Sequence, residues 1–403
     1  MATHPEVRHA WPVIVACFAT AVHAWGFGFY GMSVFVARLQ VEQGWPTGLV
    51  SAATIAFYLF GAVLITRMPP VLTRLGPRPV LLGGAALISM GAVVAGHATA
   101  PWQMVAGFLV MGAGWSATSV AAIAATLAQW FDARRGMAIS LALNGASVAG
   151  FTVAPALVWL ADAHGLALAA TWLAAGSLAV LVPVVLLGLR PARPGPPNAT
   201  ARAAAAGDPR PGFASQGAAL RSLRFWSVAG PFVLILMAQV GLIVHLVAFL
   251  QPVLGARGAG LGMALMSVCA VIGRVALGLV IDRVAQRRAA ALGLAVQLAG
   301  ISLMLALPAS ETALYAGCAL FGLWVGNNIT LPSQIVQREF AAASFGVVVG
   351  LSTALGQAAY AFAPALLGVV HGLAGGYAAV LTLVAGMTAL GAVVLVAGAP
   401  RRR

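Results

Sequence analysis

Long apolar runs separated by short polar breaks set the rhythm of this 403-residue chain. Twelve of the runs approach or exceed the ~20 residues an α-helix needs to cross a hydrocarbon core of ~30 Å. They fall at about 11–36, 48–68, 79–97, 102–128, 136–160, 166–189, 225–250, 258–282, 289–307, 312–336, 345–370 and 377–397. Strand-based spanning would need short alternating segments, so helices are expected. The breaks at Ala98–Pro101 and Pro308–Glu311 leave room only for tight turns. One break is long. Arg190–Arg224, with PARPGPP and ARAAAAG, can bury little apolar area and is expected to be a largely disordered tether with a short interfacial helix. It divides the chain into a six-helix bundle at 1–189, a linker at 190–224 and a second six-helix bundle at 225–403. The expected fold class is an all-α membrane protein with twelve transmembrane helices in two pseudo-symmetric bundles.

Composition agrees: 61% of residues are hydrophobic and 7% charged, where globular domains carry about 25% charged residues. The net charge of +14 changes the picture only through its placement. Every basic side chain apart from histidine is arginine, and 19 of the 22 fall at the N-terminus, in alternate breaks, in the linker or at the C-terminus, all on one side of a twelve-span arrangement. Arg38 and Arg257 lie on the other side and Arg274 lies within a run. The positive-inside rule then puts both termini in the cytoplasm, with the chain in a plasma (bacterial inner) membrane. Nucleic acid is not expected as a partner, because no basic soluble surface exists to receive it. Cys17, Cys269 and Cys318 sit inside apolar runs, an odd set without metal spacing, so neither disulfide framework nor zinc is expected. The first run outlasts signal-peptide length, so no cleavable signal is expected.

The halves echo each other. APALVWLADAHG from Ala154 resembles APALLGVVHGLAGG from Ala363, and the same offset relates Thr118–Ser119 to Asn327–Asn328. Parallel repeats of this kind point to two bundles around a shared site.

Twelve spans divided six and six by a basic loop resemble the major facilitator superfamily. GLVIDRVAQRR at Gly278–Arg288 is similar to that superfamily's cytoplasmic motif, in which Asp282 and Arg283 would form a gating latch. The first-half counterpart, TRLGPRPVL, keeps Arg74 and Arg78 but has Thr73 where the acid is expected. WFDARRGMAISLALNGASVAG at Trp130–Gly150 resembles the segment entering helix 5 of the monocarboxylate porter family, with Arg134 and Arg135 as its basic pair. YGMSVFVARLQVEQGWP resembles the first-helix exit of bacterial members, a branch that also adjoins the oxalate–formate exchangers. In that family an arginine of helix 8 is implicated in binding substrate carboxylate, and Arg274 matches its place. Two departures stand out. Animal members carry an acid one turn before this arginine, where this chain has Ala270. The exchangers pair it with a helix-11 lysine, and here the eleventh run has no basic residue before His371. The resemblance therefore implies a single-arginine site.

The residues give their own reasons. A guanidinium at membrane depth costs at least ~2.5–3.5 kcal/mol, so Arg274 needs a partner, either helix carbonyls or an anionic substrate held in a bidentate fork. His23 and His245 lie within runs and can change charge near neutral pH, which makes them proton-coupling candidates; hydrogen-bonded packing is the alternative. Tyr30 stands at i+7 from His23, so both can face the same cavity; its hydroxyl can orient a carboxylate, and a membrane-interface role is the alternative. Asn327, Thr330 and Gln334 share a helical face that should turn towards protein or pore, and Gln357 is a further candidate. Glycines 107, 112, 114, 145 and 150 suit close helix packing, and Pro155 and Pro364 suit kinks.

No phosphate-binding loop, catalytic triad or metal constellation appears in the sequence, so neither an enzyme nor a cofactor is expected. The expected function is a secondary active transporter of small organic anions, monocarboxylates first. It works by alternating access as a monomer, with proton symport, anion exchange and facilitation as coupling modes in that order. The alternatives are an exporter of hydrophobic or zwitterionic compounds and a non-transporting membrane sensor.

Overall fold

The structure, a computed structural model, describes residues 5–131, 134–189, 210–213 and 215–399. Among the described residues there are helices, turns and no strand. Eleven stretches of the described residues are long and apolar enough to cross a membrane. The longest, Arg135–Gly188, has 54 residues and as one straight rod would reach ~80 Å, far beyond a bilayer core. It is not one rod. At Gly165 the backbone takes φ 79° and ψ 161°, a conformation that side chains with a Cβ rarely adopt. The pieces on either side are each long enough to span, so counting them apart gives twelve stretches of spanning length among the described residues, the fifth and sixth joined through one glycine.

The chain divides into two compact units. One takes in Met1–Arg210 with Ala341–Ala354, the other Pro211–Phe340 with Leu355–Arg403. Most of the expected tether, residues 190–209 and 214, lies outside the described residues.

The first unit runs α1 (Pro5–Trp25), a π-turn (Gly26–Tyr30), α2 (Gly31–Gln43), α3 (Thr47–Ile65), α4 (Met68–Leu75), α5 (Pro77–Gly96), α6 (Pro101–Ala117), α7 (Val120–Leu127), α8 (Arg135–Phe151) and α9 (Val153–Gly188). Helix α5 packs on α6 and α9, while α1 packs on α8 and α9. Small residues set the spacing: a Cβ on Gly91 would lie 2.4 Å from the Gly107 carbonyl oxygen, and one on Gly145 would lie 2.2 Å from that of Phe18. The fourth run does not continue unbroken. It stops at Ala117 and restarts at Val120, because Ser119 leaves the helix and its hydroxyl accepts the Ala122 N–H as an N-cap. A second interruption, at Thr152, stands three residues before Pro155, whose ring excludes a continuous helix there.

In the second unit, Ser215 caps α10 (Gln216–Leu220), and α11 (Leu223–Val280) follows, divided at Gly255 with φ 68°. Then come α12 (Gln286–Ala306), α13 (Glu311–Glu339), the part of α14 (Phe345–Ala374) from Leu355 onward, and α15 (Tyr377–Ala397). Leu242, Leu246, Met266, Ile301, Phe321 and Val384 lie in its apolar core. One end is fastened by Arg287. Its Nε and Nη2 donate to the two Glu339 carboxylate oxygens at 2.7 and 2.8 Å, and its Nη1 donates to the carbonyls of Ser227 and Leu395. This bidentate pair joins the starts of α11 and α12 to the ends of α13 and α15, and either partner alone would be an uncompensated, largely buried charge.

Candidate functional site

Arg274 stands on the second leg of α11, which packs on α13. The residue before it, Gly273, has no room for a side chain: a Cβ there would meet the Leu323 carbonyl oxygen at 1.8 Å. That proximity lets the Arg274 side chain lie against the neighbouring backbone, only 1% exposed, with Nε donating to the Gly326 carbonyl at 3.0 Å. A helix carbonyl thus supplies one partner for the cation inside a span.

Helix α13 carries the polar face read from the sequence, and Asn327, Thr330 and Gln334 are all fully buried. Asn327 Nδ2 donates to the Leu323 carbonyl at 3.3 Å, while its Oδ1 has no hydrogen-bond partner among the described residues. Thr330 donates to the Asn327 carbonyl at 3.1 Å. Gln357 on α14 is 1% exposed and accepts a hydrogen bond from the Tyr360 hydroxyl at 3.4 Å.

A cluster that the sequence reading did not single out lies beside this face. Asn328 Nδ2 donates to Gln239 Oε1 at 2.8 Å and to Gln297 Oε1 at 3.0 Å, tying α13 to the first leg of α11 and to α12. All three side chains are at most 2% exposed. The available signal was the carboxamides themselves, placed inside apolar runs where unmade hydrogen bonds are costly.

The histidines are both bonded. His23 is 2% exposed; its Nε2 lies 3.1 Å from the Ala85 carbonyl and its Nδ1 lies 3.1 Å from the Ser177 hydroxyl. A carbonyl can only accept, so Nε2 carries a proton. His245 Nε2 donates to the Pro364 carbonyl at 3.0 Å, with the Tyr377 ring nearby.

Tyr30 lines an open cleft whose lining residues do not include His23. The π-turn at Gly26–Tyr30 intervenes, with the Gly31 N–H donating to the Gly26 carbonyl, and its one extra residue turns the following helix by about 100°. Tyr30 instead lies across Gly150, where an added Cβ would come within 3.0–3.3 Å of its ring. It helps to line an open cleft of ≈ 460 Å³ with Ser33, Pro155, Trp159 and Asp162, and Arg38 pairs with Asp162 at its rim.

The gating candidates differ in exposure. Arg74 and Arg283 are exposed, and Arg78 and Arg134 are half-buried. Arg135 is 6% exposed, donates through Nε to the Phe131 carbonyl at 3.0 Å and stacks on the Phe345 ring. At Asp282, Arg338 donates to the residue's backbone carbonyl and to that of Val284. Arg338 is therefore a further arginine at the expected latch. No group of three or more His, Cys, Asp or Glu that could hold a metal occurs among the described residues.

The family model of the Major Facilitator Superfamily matches residues 16–364. Monocarboxylate transporter 13 of Rattus norvegicus is 30% identical over 161 residues, covering 39% of this chain and 36% of that protein. Monocarboxylate transporter 11 of Homo sapiens is 31% identical over 208 residues, covering 48% of this chain and 42% of that protein. These matches span less than half the length of either relative. Among solved structures, the E. coli fucose:proton symporter FucP superposes with a TM-score of 0.71 at 15% identity, covering 97% of this chain and 99% of that one. The proton:xylose symporter XylE gives 0.73 at 12% identity, with 96% and 95% covered. The human organic anion transporter MFSD10 gives 0.67 at 16%, with 98% and 100% covered. At these identities the likeness shows the fold.

Proposed function

Because the chain belongs to the Major Facilitator Superfamily, a family of transporters and not of enzymes, we propose that it is a secondary transporter of small organic anions, with monocarboxylates as the leading class. The observation that carries the anion assignment is Arg274, a buried cation inside a span whose Nε donates to the Gly326 carbonyl; in the sequence, the turn before it has Ala270 where an acid would stand in the animal relatives. Guanidinium stays charged at any physiological pH and offers a planar fork matched to a carboxylate. The names of the partial relatives support the same class. Asn327, Thr330, Gln334, Gln357 and Tyr30 are the polar side chains proposed to accompany it. Transport proceeds by alternating access of the monomer, with the linker at 190–224 joining a six-helix bundle at 1–189 to another at 225–403. Asp282, Arg283, Arg74, Arg78, Arg134 and Arg135 are the proposed gating groups. The proposed location is a plasma (bacterial inner) membrane, and proton symport is the leading coupling mode, with His23 and His245 as the carriers.

Uptake into proteoliposomes tests this reading. Acetate, butyrate, lactate, pyruvate and benzoate are offered alongside their neutral amides. The wild type is expected to take up at least one acid in preference to its amide, and Arg274→Ala and Arg274→Lys to lose that preference. Wild-type affinity in both variants would remove Arg274 from the site. In the same assay an inward proton gradient accelerates uptake, and His23→Gln or His245→Gln abolishes the acceleration if that histidine carries the proton.

One observation favours a second reading. Arg274 is covered and already bonded to a helix carbonyl, as a purely structural arginine would be. An exporter of hydrophobic or zwitterionic compounds would then fit, and it would transport amides as well as acids in the Arg274 variants.

A further inference from the structure

The guanidinium of Arg274 lies directly against a residue without a side chain. A Cβ at position 326 would stand 2.8 Å from Nε, 2.8 Å from Nη2 and 2.9 Å from Cζ. Three atoms of the planar group therefore lie over the bare α-carbon, while the carbonyl of the same residue receives the Nε proton at 3.0 Å. One residue thus offers the guanidinium both a bare surface to lie on and an acceptor for its Nε proton. The α13 backbone is poorly placed to yield, because Asn328, two residues on, is tied to Gln239 on α11 and Gln297 on α12.

We propose that Gly326 is a positioning residue for the Arg274 fork, setting the orientation in which its terminal nitrogens meet a carboxylate. This inference rests on the reading of Arg274 as the anion contact. A point charge such as ammonium tolerates rotation, whereas a bidentate fork recognises a carboxylate only when the two planes align. A methyl group at 326 displaces the guanidinium, breaks the Nε bond to the carbonyl and turns the fork.

Gly322, one turn earlier, separates this role from simple helix spacing. It also lies at the α11–α13 contact, but its added Cβ would meet the Met266 backbone at 2.4 Å and not the arginine. The experiment compares Gly326→Ala, Gly322→Ala, Arg274→Ala and the Gly326→Ala/Arg274→Ala double variant in the uptake assay above, with thermal unfolding of each purified protein.

Gly326→Ala is expected to raise KM for the transported acid about tenfold and to weaken discrimination against its amide. In the Arg274→Ala background the same change is expected to leave KM unaltered and to cost less thermal stability, since the atoms it would strike are gone. Gly322→Ala is expected to lower the melting temperature while keeping the acid KM. Wild-type KM in Gly326→Ala, with acid preference lost in Arg274→Ala, overturns the positioning role and leaves the anion site standing. An equal KM rise in Gly322→Ala also overturns it, in favour of helix spacing. Indifference of uptake to Arg274→Ala, or no acid transported by the wild type, removes the anion reading and this inference together.

Discussion

Asn328 makes two side-chain hydrogen bonds to residues 89 and 31 positions away in sequence, at 2.8 and 3.0 Å. Replacing it with leucine leaves two buried glutamine oxygens without their donor, and an unmade buried bond costs about 1–3 kcal/mol. Asn328→Leu is therefore expected to lower the thermal midpoint of the purified protein clearly, and adding Gln239→Leu and Gln297→Leu to recover part of the loss. An unchanged midpoint in the single variant would show that the amide cluster contributes nothing. At this scale the sequence is legible in proportion to cost. Arg274 stands out because a charge in an apolar run is expensive wherever it lies. A glutamine in such a run raises no comparable signal, and its partner is fixed only when three separate helices are brought together. Asn327, Thr330 and Gln334 share a face because the 3.6-residue period says so, and Asn328 lies about 100° round from Asn327, on a side that the period alone gives no reason to favour.

Hydropathy locates the spanning helices well, because lipid forces every backbone group to bond within its own segment. It does not locate the places where a helix changes character inside a span. The repeat that aligns Thr118–Ser119 with Asn327–Asn328 gives no hint that the first pair interrupts α6 and α7 while the second lies inside an unbroken α13. Nor does a count of i+7 reveal the π-turn at Gly26–Tyr30, which separates His23 from Tyr30. Two features support that turn: the Tyr58 hydroxyl donates to the Gly28 carbonyl at 3.1 Å, and Trp115 occupies the place a Gly28 side chain would take, 2.4 Å from an added Cβ. A π-turn spoils the usual carbonyl partners, so an outside donor has particular value there. Tyr58→Phe should cost about 1 kcal/mol, the net worth of one such bond, read as a lower melting temperature with helical content kept. No shift would mean that the turn is held by packing against Trp115 alone.

Orientation belongs to the whole molecule, since it follows from the sum of its loops and from no single one. Twelve crossings return the chain to the side on which it began. In that arrangement nineteen arginines lie on the side of the termini, against Arg38 and Arg257 on the other. Arginine in short loops resists translocation, so the proposed arrangement holds both termini in the cytoplasm. The two exceptions reinforce the asymmetry: Arg38 is paired with Asp162, and Arg257 stands next to the helix break at Gly255. Reporter fusions read this directly. A fluorescent protein joined after Arg403 is expected to be bright, and alkaline phosphatase at the same position inactive. Phosphatase inserted at Gly44, between α2 and α3, is expected to be active. An active phosphatase at the C-terminus would reverse the orientation, place the arginine-rich loops outside, and remove Asp282 and Arg283 from any cytoplasmic gate while leaving the contact between Arg274 and Gly326 untouched.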